Sequence, residues 1–140
     1  MKKTKVVCIG EALIDRIMNK SNQEFTDYLG GAPANVACAL KKLQVDSTFI
    51  GRIGNDASGK KFIDTFKALG VNIEFLQLDN NLPTRIVKVG RDVSGERYFS
   101  GFEKRLNKGF ADEALDKKLI EKKINSLEKL FLKTKYLVCG

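Results

Sequence analysis

GGAPANVACALKKL, residues 30–43, opens on two glycines and a proline and then runs into an amphipathic pattern. Pro33 suits a first helical turn, where its missing N–H leaves no bond unmade. Val36, Ala39, Leu40 and Leu43 recur at i, i+3, i+4 and i+7, which predicts a helix with these four on its buried face. Gly30 and Gly31 let another group come close to the backbone at the positive end of that helix, and Asn35 adds an amide in its first turn. Two readings fit the stretch. It is a tight turn with good helix-start chemistry, or it is a place for a polar ligand.

Working outward, KVVCI (5–9) is a continuous apolar run with the β-branching of a strand buried on both faces, and STFIGRI (47–53) reads as the next strand. Strand, helix and strand make a βαβ unit whose crossover is right-handed. Gly10 ends the first strand and Asp15 follows in GEALID. Open α/β sheets bind ligands beyond the carboxyl ends of their strands, so Asp15 is a candidate ligand group. A solvated loop carboxylate or a turn cap is the alternative. Residues 17–29 read as a loop or hairpin, with a short strand over 23–29.

Asn55 or Asp56 caps a second helix over 57–69, with Phe62, Ile63, Phe66 and Leu69 inside and Gly70 as its stop. The preceding GRIGNDASGK is neither a Walker loop nor a dinucleotide fingerprint, so no nucleotide phosphate is placed there. Three short strand-like runs follow, 73–78, 85–90 and 96–102, separated by DNNLP and RDVSGE turns. They predict an accessory antiparallel sheet lying off the main one. Tyr98, Phe99 and Phe102 form an aromatic cluster that fits packing better than ligand contact. Residues 111–133 read as helix, buried through Leu115, Leu119, Ile120, Ile124, Leu127, Leu130 and Phe131, with Asn125 and Ser126 as a break point. YLVC (136–139) reads as another buried strand.

The 140 residues carry a net charge of +8 and no histidine; 43% are hydrophobic and 30% charged. That balance is globular and large enough for one domain with a core. Without histidine there is no Ser-His-Asp or Cys-His nucleophile and no histidine-bearing zinc centre, so acid–base work falls to carboxylates, lysines or tyrosines. Cys8, Cys38 and Cys139 have no metal spacing and read as small buried residues in a reducing compartment. No apolar run is long enough to span a bilayer, and MKKTKVVCIGEALID is not a signal peptide, so a cytoplasmic protein without membrane contact is expected. The lysines are not interleaved with stacking aromatics, which argues against a nucleic-acid partner despite the charge.

GEALID, GGAPANVACAL and FIGRIGNDASG, in this order and spacing, resemble the ribokinase-like (PfkB-type) carbohydrate kinases, most of all their fructokinases. The resemblance covers essentially the whole chain, which looks like the N-terminal half of such a kinase. It implies a Rossmann-like α/β ribokinase fold, a parallel sheet with flanking helices, plus a small β-sheet lid. Residues 1–140 are then the N-terminal part of a single sugar-kinase domain, with lid strands at about 17–29 and 73–102. By resemblance Asp15 grips sugar hydroxyls, Gly30 and Gly31 bring backbone close to the sugar, Asn35 holds it, and Tyr98, Phe99 and Phe102 belong to the lid.

The activity implied is ATP-dependent phosphorylation of a sugar hydroxyl, with ATP and Mg²⁺ as cofactors and a homodimer through the lid as a further expectation. The base and most of the ATP site are expected outside this chain, which is expected to be inactive alone. A non-catalytic sugar-binding module, or a kinase for ribose, a nucleoside or a keto-deoxy sugar acid, are the alternatives. Two departures stand out. Gln44 replaces the family's usual glycine after the first helix. Fructokinases commonly carry an arginine after the lid aromatic, where this chain has Phe102 then Glu103, with Arg105 nearby but out of register.

Overall fold

The computed structural model describes residues 6–19, 24–103 and 108–140. Lys5 at the head of the first expected strand, Ser21, Asn22 and Gln23 of the expected hairpin, and Arg105 lie outside the described residues.

Two four-stranded sheets organise the chain. Strands β1 (Val6–Ile9), β4 (Ser47–Gly54), β5 (Leu76–Asp79) and β8 (Tyr136–Cys139) make a parallel sheet in the order β5-β4-β1-β8. Strands β2 (Leu13–Met18), β3 (Phe25–Gly30), β6 (Ile86–Arg91) and β7 (Arg97–Glu103) make a second sheet in the order β3-β2-β6-β7. In it the two outer pairings are antiparallel and the central β2–β6 pairing is parallel. The fold is therefore a parallel α/β layer with a second sheet.

Alternation along the parallel strands feeds two cores. Val6 and Cys8 of β1 and Phe49 and Ile53 of β4 point to helices α1 (Ala32–Lys42) and α2 (Ala57–Leu69), where Phe66 lies 5.1 Å from the ring of Phe49. Val7 and Ile50 point the other way, to Phe75 and to Leu130 of α4 (Ile124–Phe131). Strands covered on both faces explain the unbroken apolar runs in the sequence. Helix α2 has the expected ends: Asp56 caps its N-terminus, accepting from the N–H of Gly59, and Gly70 closes it in the left-handed conformation at φ 76°.

Several expectations need correction. The buried stripe of α1 is Pro33, Ala34 and Ala37, small enough to seat the helix close to the sheet; Val36 and Leu40 flank it, while Ala39 is exposed and Leu43 is 74% exposed at the C-cap. Residues 76–79 belong to the parallel sheet beside β4, so the expected lid segment 73–102 is too long at its start. Asp15 is not in a loop, because β2 already runs from Leu13.

The expected helix over 111–133 is three pieces: a 3-10 turn at Ala111–Glu113, α3 (Lys117–Glu121) and α4. The break falls at Lys122–Lys123, before Asn125 and Ser126. Leu115, Leu119, Ile124 and Phe131 are exposed, and Leu130 is the buried member of the set. Strand β8 is the outer strand rather than a buried one, with Tyr136 and Leu137 exposed, and Cys139 is exposed as well. Gln44, where the resemblance expects glycine, has φ 60°, the one positive-φ non-glycine among the described residues.

Candidate functional site

Where β2 and β3 leave the parallel sheet, the sequence brings a carboxylate and a helix start together. Leu13 pairs with Gly30, and two residues on Asp15 pairs with Tyr28 on one side and Val87 of β6 on the other. A side chain at Gly30 would stand 2.5 Å from Asp15 Oδ2, so glycine is what leaves the carboxylate its place. Gly31 then turns the chain into α1 at φ 94°, and a Cβ there would lie 2.6 Å from the carbonyl oxygen of Glu11. The close approach read from the paired glycines is thus made, at least in part, by the chain itself. The N–H of Asn35 donates to the Gly31 carbonyl at 2.9 Å, beginning the helix, and its side chain is exposed.

Pro33 abuts Gly10 and Gly140, so this helix start lies just beyond the carboxyl ends of β1 and β8, where open α/β sheets gather their ligands. Next to it, a cleft of about 620 Å³ runs over one face of the second sheet, lined by Asp15, Ile17, Thr26, Tyr28, Arg91 and Arg97 among others. Gly31 and Asn35 are not among the residues lining it.

The pleat decides which side chains reach this cleft, because registered partners share a face. Val87 opposite Asp15 faces Phe102, and Val89 opposite Ile17 faces Phe99. Phe99 and Phe102 meet edge to face with centroids 5.0 Å apart, and Phe102 packs on Phe110 at 5.3 Å. Tyr98 is paired with Gly90 and its ring lies over that glycine on the opposite face, so the three lid aromatics do not act as one surface. A bulge at Lys88–Val89 leaves Ser100 as the extra residue, its hydroxyl donating to the Lys88 carbonyl at 2.9 Å.

Sequence reasoning missed Arg91 and Arg97. They are registered partners at the end of the β6–β7 ladder and both line the cleft. The signal was present: Arg91 is in phase with Val87 and Val89 along β6. Burial pushes the Asp15 carboxyl above its usual range; Arg97 pulls it back and Glu11 pushes it further up.

The opposite face is closed by ion pairs. Arg16 donates from Nε and Nη2 to Asp27 at 2.7 and 2.8 Å and from Nη1 to Glu103. Lys61 of α2 reaches Asp27 at 3.4 Å. At the base of the second sheet, Asp56 accepts from the Thr84 N–H and hydroxyl, both at 2.8 Å. Arg85 hydrogen-bonds Asp112 Oδ1 and lies against the rings of Phe102 and Phe110. An acceptor carboxylate, two guanidiniums and a phenol ring along one cleft suit a compact ligand rich in hydroxyls.

The profile of the pfkB family carbohydrate kinases matches residues 3–135. Fructokinase-2 of Oryza sativa subsp. japonica is 39% identical over 100 residues, covering 67% of this chain and 30% of that protein. The apo structure of fructokinase from Vibrio cholerae O395 superposes with a TM-score of 0.72 at 25% identity, over 99% of this chain and 53% of that one. Aminoimidazole riboside kinase from Salmonella enterica, solved with aminoimidazole riboside and an ATP analog, gives 0.64 at 29% identity over 82% of this chain and 34% of its own. The chain thus spans about a third of that curated relative and about half and a third of those two solved structures, and it belongs to the pfkB family of carbohydrate kinases.

Proposed function

We propose that this chain carries the sugar-binding part of an ATP-dependent kinase that phosphorylates a sugar hydroxyl, with fructose as the first expected substrate. The observation that carries the reading is the pairing of Asp15, desolvated and opposed by Arg97, with the Gly30–Asn35 helix start beside one cleft. Asp15 accepts hydroxyl hydrogen bonds, and charge-assisted bonds of that kind fix orientation as well as affinity. The Phe99–Phe102 face lies over the same side of the sheet, as a lid that keeps water from the reacting hydroxyl does.

ATP supplies the transferred phosphoryl group. Phosphoryl transfer is largely positioning and electrostatics, and this chain contributes the positioning. Among the described residues no group of three or more carboxylates or thiols is arranged to hold a metal ion.

Transfer of labelled phosphate from ATP to fructose is the test. The intact protein is expected to transfer it and the 140-residue chain is not. Transfer by the short chain would overturn the assignment of base and phosphate site to other residues. Fructose binding without any transfer by the intact protein would favour a sugar-binding module. The outward Phe131, Leu132, Tyr136 and Leu137 predict that the short chain self-associates, which sedimentation reads directly.

A further inference from the structure

We propose that Arg97 is the cationic counterpart of Asp15 in the cleft: the carboxylate takes the sugar's hydroxyl hydrogens from one wall, and the guanidinium donates to its oxygens from the other. The inference rests on the sugar-kinase reading of the same cleft and adds a residue that sets its specificity.

Three observations support it. Arg97 and Asp15 stand on different strands, β7 and β2, yet line one cleft. Neither has an ion-pair partner among the described residues, so the donors of one and the acceptors of the other remain open across the gap. Arg16, on the other face of the same sheet, is the contrast: both of its acid partners are in contact.

The third observation concerns direction. Arg91 is the registered partner of Arg97, and like charges directly opposite in a sheet repel. Asp92, the acid of the adjoining turn, has its Oδ1 engaged by the N–H groups of Ser94 and Glu96 and by the Ser94 hydroxyl. Attraction to Asp15 favours Arg97 turned into the cleft that both line. A guanidinium there offers a planar fork of donors that matches two neighbouring sugar oxygens, which an ammonium does not.

Among the described residues, the charged groups around Asp15 are Arg97 from β7, Arg91 from β6 along the same cleft and Glu11 from the β1–β2 connection, with the Tyr28 phenol beside it on β3. Removing the Arg97 charge leaves burial and Glu11 unopposed by it, so the Asp15 carboxyl moves further up. In the intact kinase, the acid limb of kcat/KM for fructose then moves to higher pH.

The experiment has two parts. In the intact kinase, the Asp15 carboxyl is followed by NMR through a pH titration in the parent, Arg97→Gln and Arg97→Lys. The glutamine variant is expected to raise the midpoint and the lysine variant to restore it. In the intact kinase, Arg97→Gln is expected to raise KM for fructose about tenfold, the scale of a lost hydrogen bond from a charged group, with kcat little changed. Arg97→Lys is expected to recover the pH limb but not the full affinity. An unchanged midpoint, or a raised KM with no movement of the acid limb, overturns the inference. If Asp15→Asn weakens fructose binding and Arg97→Gln does not, only the inference falls. If neither does, the sugar reading falls and takes the inference with it.

Discussion

The two faces of the second sheet are built from the same four strands and do opposite things. On one, Arg16, Asp27, Glu103 and Lys61 satisfy one another and tie the sheet to α2. On the other, Asp15, Arg91 and Arg97 stand along a cleft without ion-pair partners among the described residues. Asp15 and Arg16 are chain neighbours. A period of two residues therefore separates a structural acid–base set from one open to a ligand, with no change of element or composition.

The largest effect expected from breaking this contrast is on the closed face. Arg16→Ala leaves Asp27 and Glu103 close together without their shared cation, both less than a quarter exposed. Removing one partner of such a set costs about 3 kcal/mol of stability. Urea unfolding reads it, and sugar affinity in the intact protein is expected to hold. A loss within error of zero would mean that the network is ornamental.

Next comes Asp15→Asn, expected to cost sugar binding about 2 kcal/mol through loss of a charged acceptor, while stability holds or rises because a desolvated charge is removed. Calorimetric titration with fructose and parallel unfolding of the intact protein check both halves. Gly30→Ala sharpens the point. Its Cβ meets the Asp15 carboxylate rather than backbone, so it is expected to displace that group and weaken binding by about 1 kcal/mol. Gly31→Val is a poorer probe, since φ 94° and the Glu11 carbonyl make it a folding variant first.

The smallest expected effect is in the pH dependence of stability, where the two faces have opposite signs. The Arg16 hydrogen bonds hold the Asp27 carboxyl below its usual range, so its stabilisation is complete above the ordinary carboxylate pKa and disappears as pH falls through the lowered one. Burial holds Asp15 above its range, so its ionisation costs stability as pH rises past the ordinary value, and the cost is complete above the raised one. Unfolding from about pH 3 to about pH 7 is expected to show Asp27→Asn flattening the acid side and Asp15→Asn lifting the neutral side. Parallel shifts in the two variants would contradict the assignment.

The parallel units were legible because strands covered on both faces write unbroken apolar runs, and α2 because Asp56 and Gly70 punctuate it. Three features were not. Leu13 and Ile14 are both buried where β2 leaves the core, which hides the alternation that marks a strand. Leucine spacing over 111–133 gives a helical register but says nothing of continuity, so a turn and two helices read as one. On α1, periodicity weighed Leu43 above Ala37, whereas close seating on the sheet selects the alanine. In the candidate site, Asp15, Gly30 and Gly31 were marked by position and resemblance. Tyr98 was grouped with Phe99 although adjacent strand residues take opposite faces, and Arg97 needed the register of β7, which depends on a bulge that no local pattern announces.

That bulge also governs how this strand is matched to others. If the ladder ran regularly through Ser100, Val89 would face Ser100, Gly90 would face Phe99, and Arg97 would be carried past Arg91 into the turn. In a relative whose strand lacks the extra residue, the gap in an alignment belongs opposite Ser100. Placed a few columns earlier, it would still look acceptable by residue similarity. It would, however, assign the cleft-facing arginine and phenylalanine to residues on the far side of the sheet, and every substitution read from those columns would then be credited to the wrong face.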